Sequence, residues 1–354
     1  MVIRSKVSAT IYVLYTGGTF GMAASSQSCA ESELRPLPLD NLSSHLQAVG
    51  YSRYGLNIEI ESFSLPIDSS SIKPEDWLLI AKKIARNYER FDGFVVIHGS
   101  DTLAYTASAL SFIFENLNKP VVVTGSQVPL MSTPTDAIDN YLLALKIAGH
   151  VGLRGKPLTE VSVVFANKVL RGNRCRKVST SNWSAFTSPN CRPLVSVMQD
   201  NLQFHRHAIR KSMSSEKPLS LNEQLEKGVI DIALFPGISL QFLERTLDYE
   251  GLRGVVLRSF GAGNAPEALD FLSILRQKIL KRNLIVLVVT QCMHGSVYPR
   301  RYASGAGLID CGVFSGGDIT PEAALTKLMV LLPKLVEDHD KELVSINMRG
   351  EMTV

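Results

Sequence analysis

Short runs of β-branched and aromatic residues that stop abruptly at glycine recur along this chain. Tyr12-Val13-Leu14-Tyr15 runs into Thr16-Gly17-Gly18-Thr19, and Phe94-Val95-Val96-Ile97 runs into His98-Gly99-Ser100-Asp101-Thr102. Val121-Val122-Val123 likewise ends in Thr124-Gly125-Ser126-Gln127. A short apolar run closed by turn residues reads as a strand buried on both faces. Segments of helical spacing lie between these runs. Residues 75–88, reached through Pro74, predict one helix. Leu103, Ala107, Leu110, Phe114 and Leu117 predict an apolar stripe on another, with Ser100 or Asp101 as its cap.

This alternation, continued to about residue 170, predicts a larger N-terminal α/β domain whose mostly parallel sheet is flanked by helices. From about Asp200 the pattern dissolves into polar and charged residues. It returns at 230–235, 255–259 and 284–290, each again a strand running into glycine or a hydroxyl, and a last helical region covers 321–335. The expected division is therefore an N-terminal catalytic domain over 1–210, a linker over 211–228 and a smaller parallel α/β domain over 229–354.

Composition narrows the partners. With 37 basic and 33 acidic residues the net charge is +4, too balanced for a nucleic-acid or anionic-lipid surface, and a small-molecule partner is expected. The cleanest apolar run, 284–289, is far shorter than the roughly 20 residues a membrane span needs. The positively charged start, Arg4 and Lys6, precedes an apolar stretch interrupted by Ser8 and Thr10, which reads as a first strand rather than a signal peptide. Five widely spaced cysteines without a C-x-x-C pair read as reduced cytosolic thiols. His205 and His207 lack a third partner of ligand type, so no metal is expected, and no cofactor either. No complete phosphate-loop or dinucleotide fingerprint is present. The S-x-x-K match at 70–73 reads as a loop leading into a helix.

The chemistry is expected at the glycine junctions, because ligands of open α/β sheets sit beyond the carboxyl ends of the strands. Thr19 is the first candidate nucleophile. Ser100 and Asp101 supply a second hydroxyl and a carboxylate, and the missing base is a lysine of lowered pKa, either Lys168 or Lys177. His98, at a strand end, reads as packed rather than catalytic.

Together these residues resemble the asparaginase family, its bacterial type I cytoplasmic branch in particular. The likeness runs from Ile11 to about Glu351. It rests on the three junctions, on Asp68-Ser69-Ser70 before Pro74-Glu75-Asp76-Trp77, on Arg171-Gly172-Asn173-Arg174, on Gly261-Ala262-Gly263-Asn264-Ala265-Pro266 and on Thr290-Gln291-Cys292-Met293. The resemblance implies hydrolysis of L-asparagine to aspartate and ammonia without a cofactor. Thr19 would form an acyl-enzyme, with Ser100, Lys177 and Asp101 as the second set. Lys177 rather than Lys168 falls at the family's lysine. Asp68, Ser69 and Ser70, with Ser100 and Asp101, would hold the substrate, and backbone N–H groups near Ser100 would stabilise the oxyanion. A homodimer or homotetramer is implied, with Asn264 contributed by the neighbouring subunit.

Two positions depart from the family pattern. The second hydroxyl, usually threonine, is Ser100, and the family's lid tyrosine falls at Cys29. Arg258 and Cys292 fall where some members bind asparagine at an allosteric site, but Arg176 replaces a neighbouring threonine there. Two other readings follow. One is a catalytically weak asparagine-binding sensor, motivated by Ser100 and Cys29. The other is the amidohydrolase subunit of a tRNA transamidation complex, against which stands the position of Thr19 too near the start for that subunit's extra N-terminal domain.

Overall fold

The computed structural model describes residues 9–24, 34–38, 40, 42–151, 157–199, 201–210, 217–266, 269–298 and 303–353. They form two compact units. One takes residues up to Ser188 together with Arg192–Leu221, and the other takes Pro189–Cys191 together with residues from Asn222 onward.

The first unit is built on eight strands: β1 (Thr10–Gly17), β2 (Asn57–Ile67), β3 (Gly93–Ile97), β4 (Val121–Thr124), β5 (Val161–Phe165), β6 (Lys168–Arg171), β7 (Val195–Met198) and β8 (Asn201–Phe204). Their order across the sheet is β8-β7-β6-β5-β4-β3-β1-β2. The five from β5 to β2 are parallel, so the sheet is mostly parallel as expected. From β5 onward the chain turns back on itself, and β6, β7 and β8 pair antiparallel, β5 with β6 and β7 with β8 through short reversals and β6 with β7 across residues 172–194. The two-residue turn Ala166-Asn167, both at positive φ, makes the first reversal.

The helices are α1 (Ser43–Tyr54), α2 (Pro74–Arg86), α3 (Leu103–Ile113) and α4 (Ala137–Ala148). Alternation along the central strands divides the core. Ile11, Val13, Tyr15, Val95, Ile97 and Val122 join Leu46 of α1 and Tyr141, Ala144 and Leu145 of α4 in one cluster, while Tyr12, Leu14, Phe94 and Val96 are buried on the opposite face. The helix expected after Ser100 differs in two respects. It ends at Ile113, because Phe114 turns extended and pairs with Leu221, so Leu117 lies beyond it. It is also buried nearly all round rather than along a stripe, since it packs between α2 and the sheet. Ser220–Leu221, within the polar stretch before residue 229, is thus paired strand in this unit.

The second unit carries four parallel strands, β9 (Val229–Ala233), β10 (Gly254–Ser259), β11 (Ile285–Thr290) and β12 (Phe314–Ser315), in chain order. Helices α5 (Leu240–Leu247), α6 (Leu269–Arg282), α7 (Ala303–Asp310) and α8 (Pro321–Leu331) accompany them. Thr320 caps α8 by accepting from the Ala323 N–H, with Pro321 at its first position.

The C-terminal segment is fixed by a fully buried ion pair. Lys327 of α8 lies 2.8 Å from Glu351, both side chains at 0% exposure. Lys327 also donates to the Ile346 carbonyl at 2.5 Å, and Glu351 accepts from the Met348 and Arg349 N–H groups at 3.0 and 2.6 Å. Burial works against the Glu351 charge, but Lys327 and those N–H groups outweigh it and hold its pKa below the ordinary 4.5. Removing one partner of such a pair leaves an uncompensated buried charge, a loss of about 3–5 kcal/mol. Glu351→Gln is accordingly expected to destabilise the second unit by that order, with Glu351→Gln/Lys327→Met recovering more than half, as read by urea unfolding. The depressed folded-state pKa gives a stabilisation that is complete above the unfolded value and lost as pH falls through the folded one. The acid limb of stability below about pH 4.5 should therefore be shallower in Glu351→Gln than in the parent.

Candidate active site

Because β1 to β4 are parallel, their carboxyl ends lie along one edge of the sheet, and the polar residues that follow them meet there. The meeting is close at the backbone. Gly18 has φ 84°, and a Cβ added to it would stand 2.2 Å from the Gly99 Cα. One added to Gly99 would stand 2.5 Å from Ser69 Oγ. Only glycine tolerates both the left-handed φ and this approach. Thr16 Oγ1 donates to the Ile97 carbonyl at 3.0 Å and ties the same two strand ends together. The segments that carry Thr19, Ser69 and Ser100 are thereby locked side by side.

Thr19 opens a single 3-10 turn, Thr19–Gly21, directly after Gly18, and is partly exposed. Among the described residues its hydroxyl forms no hydrogen bond. Ser100 and Asp101 do not cap α3 as the sequence suggested. The N-cap is Thr102, whose hydroxyl donates instead to the Ser69 carbonyl at 2.7 Å. Ser100 and Asp101 turn toward Lys177, whose Nζ lies 2.9 Å from Ser100 Oγ and 2.5 Å from Asp101 Oδ1. Ser100 is buried while Asp101 is 61% exposed, so the carboxylate faces outward from the pair.

Lys177 belongs to a two-residue strand, Arg176–Lys177, paired with Phe186–Thr187. The turn that leads to it is anchored from below: Arg171 pairs with Glu160 at 2.5 Å, both nearly buried, and the Gly172–Arg174 turn that follows is buried too. Lys168, the other candidate, sits on β6 and reaches Ser184 Oγ at 3.4 Å. Of the two lysines, Lys177 is the one in contact with Ser100.

Asp68 is the N-cap of a 3-10 turn, its Oδ1 accepting from both the N–H and the hydroxyl of Ser70 at 2.9 Å. Lys73 is the N-cap of α2, its N–H held by Asp76 at 2.8 Å, which fits the loop-to-helix reading of that segment. Gln127 of the third junction, to which the sequence assigns no role, accepts from Ser100 Oγ through its Oε1 at 3.2 Å. The Gln127 loop is held by Asp136, a buried carboxylate that accepts from the N–H groups of Gln127 and Val128 at about 3.0 Å. Asn140, one turn later, donates to the Gly125 carbonyl at 3.0 Å. The segment Thr135-Asp136-Ala137-Ile138-Asp139-Asn140 offers no sign of this in sequence, because the partners are backbone N–H and carbonyl groups of the loop.

His98 is packed, as its strand-end position suggested. It is fully buried, with Nδ1 2.7 Å from the Gly99 carbonyl and Nε2 2.9 Å from Thr106 Oγ1. Burial pushes its pKa down to about 4, against the opposing pull of the Gly99 carbonyl and of Asp76.

Three of the remaining candidates belong to the second unit. Asn264 is in the second unit, closing a tight turn after β10 in which its carbonyl accepts from the Phe260 N–H at 2.9 Å. Arg258 on β10 pairs with Asp231 at 2.8 Å. Cys292 is exposed just past β11, its N–H donating to Thr290 Oγ1. Cys29 lies outside the described residues. No group of three metal-ligating side chains occurs among the described residues, and no described helix is long and apolar enough to cross a membrane.

Comparison with known proteins fits this architecture. Residues 10–210 match the family model "Asparaginase, N-terminal", and residues 229–342 match "Glutaminase/Asparaginase C-terminal domain". L-asparaginase 1 of Escherichia coli strain K12 is 38% identical over 351 residues, 97% of this chain and 98% of that one. The human 60 kDa lysophospholipase is 37% identical over 361 residues, 97% of this chain but 61% of that longer protein. The crystal structure of L-asparaginase I from Vibrio cholerae superimposes with a TM-score of 0.86 at 37% identity, covering 98% of this chain and 100% of that one. A likeness that runs in order through both units, together with the strand-end junctions described above, makes this chain a member of the asparaginase family.

Proposed function

We propose that the protein is an L-asparaginase, hydrolysing L-asparagine to L-aspartate and ammonia with no cofactor, and that Thr19 is the nucleophile. The observation that carries the reading is the contact of Lys177 with Ser100 and Asp101 beside the Gly18–Gly99 junction, in a chain of this family. Thr19 Oγ attacks the side-chain amide carbon, the C–N bond breaks, and the departing nitrogen takes a proton to leave as ammonia. Water then cleaves the Thr19 ester to give aspartate and restore the hydroxyl. Ser100, Lys177 and Asp101 move the protons, and a backbone N–H beside Ser100 stabilises the oxyanion, a contribution of about 3 kcal/mol per donor in other enzymes.

Asp68, Ser69 and Ser70, with Asp101, are proposed to hold the charged ends of the substrate. The proposal extends to a cytoplasmic homodimer or homotetramer in which Asn264 completes the substrate site, to residues 211–228 as the linker between domains, and to Arg258 and Cys292 as part of an effector site.

The test is ammonia release by the purified protein across a range of L-asparagine concentrations, with L-glutamine alongside. Saturable release that prefers asparagine is expected. Absence of release with asparagine still bound in calorimetry would turn the reading to a sensor. Thr19→Ala should lower kcat by at least about 10³-fold while aspartate still binds. Full activity in that variant would remove Thr19 from the mechanism. Lys177→Met and Ser100→Ala should each lower kcat by about 10²–10⁴-fold, the range of a lost proton-transfer group. Ser100→Thr should stay within about threefold of the parent.

A further inference from the structure

Behind the strand-end junctions runs a line of polar groups that the proposed reaction does not use. Trp77 Nε1 of α2 lies 3.0 Å from Thr106 Oγ1 of α3, Thr106 Oγ1 lies 2.9 Å from His98 Nε2, and His98 Nδ1 lies 2.7 Å from the Gly99 carbonyl. Trp77 is 6% exposed, and Thr106 and His98 are at 0%. Its two ends fix its direction. An indole N–H only donates and a carbonyl only accepts. Thr106 Oγ1 therefore accepts from Trp77 and gives its own hydrogen to His98 Nε2, which leaves Nδ1 as the protonated nitrogen that donates to Gly99. The ring is neutral in this arrangement, as its full burial favours.

The last acceptor is the informative one. The Gly99 carbonyl belongs to the same peptide group as the Ser100 N–H, and a trans peptide carries the two on opposite edges of one plane. Holding the carbonyl inward toward His98 turns the Ser100 N–H outward, away from α2 and α3. Among the described residues nothing accepts from that N–H. Gly99 has no side chain of its own to fix its peptide, and the His98 bond acts directly on the orientation of that peptide.

We propose that His98 is a positioning residue: its Nδ1–H, set in that tautomer by Trp77 and Thr106, orients the Gly99–Ser100 peptide so that the Ser100 N–H faces the carbonyl of the bound amide. This rests on the proposed amidohydrolase reading and adds to it the group that aims an oxyanion donor. The buried line spans α2, α3 and the end of β3, so the aim of the donor is set by the packing of two helices rather than by the loop alone.

The experiment pairs two replacements of one ring. An asparagine at 98 puts an amide nitrogen near the Nδ1 place, and a glutamine puts its amide near the Nε2 place. His98→Gln is expected to lower kcat for asparagine by about 10²-fold with KM within about threefold, the pattern of an interaction made in the transition state. His98→Asn is expected to recover at least tenfold of that, whatever stability either variant loses in thermal unfolding. Thr106→Ser should behave as the parent. Equal kcat in His98→Gln and His98→Asn, or losses that follow thermal stability alone, would overturn the proposal and leave a core histidine. A second measurement needs no turnover: nitrogen NMR of histidine-labelled protein should find His98 neutral and protonated on Nδ1 at pH 7. Protonation on Nε2 overturns the inference even if asparaginase activity is present. A parent protein that releases no ammonia, with His98 protonated on Nδ1, sinks the proposed reaction and leaves the tautomer chain standing.

Discussion

The close approach of Gly18 to Gly99 is the constraint on which the rest of the site depends. Two adjacent parallel strands, β1 and β3, are followed by Gly18 and Gly99, whose backbones leave no room for a Cβ on Gly18. That approach does two things at once. It sets Thr19 and Ser100 on neighbouring strand ends, and it places N–H groups where a ligand beyond the sheet edge can reach them. A side chain at Gly18 would force the strand ends apart, and one at Gly99 would push on Ser69, displacements of the kind that positioning catalysis does not tolerate.

Around this contact the polar groups divide by depth. Buried ones hold backbone: Asp136 and Asn140 grip the Gly125–Val128 loop, Thr16 grips the end of β3, and His98 grips Gly99. Partly exposed ones, Thr19, Asp101 and Lys177, face outward from the same strand ends. The buried groups have nearly all their hydrogen bonds made within the fold, as their depth requires. The outward groups are thus carried on loops whose backbone is fixed from behind, which is how a site on loops acquires the precision of one on strands.

Much of this was legible in the sequence, and what was not has a common cause. The strands and their glycine junctions showed because β-branched runs and glycine are local signals with a direct conformational meaning. The mostly parallel sheet followed from strands alternating with helices. The antiparallel return of β6, β7 and β8 did not show, since a two-residue turn at Ala166-Asn167 carries no strong turn signature. Nor did the caps of α3, because Ser100, Asp101 and Thr102 are all competent caps and only tertiary contacts decide among them. The choice between Lys168 and Lys177 was beyond local reasoning, since both lysines are polar residues in one short segment and the contact with Ser100 spans 77 positions. Gln127 and Asp136 went unassigned for the same reason.

Ser100 shows how the fold can absorb a departure from its family's pattern. A threonine methyl restricts χ1 by crowding Cβ, and serine lacks that restriction. Here the hydroxyl is bounded by two partners instead: Lys177 Nζ donates to it at 2.9 Å, and it donates to Gln127 Oε1 at 3.2 Å. Gln127 is itself fixed, its N–H by Asp136 and its side-chain amide by the Asn182 carbonyl. A charge-assisted bond and a neutral one together restrain the rotamer by an amount comparable to its rotational freedom, which is well under 2 kcal/mol for so short a side chain. The orientation that a methyl would impose by sterics is in this chain imposed by hydrogen bonding, and the burden of holding the second hydroxyl passes to the loop that carries Gln127.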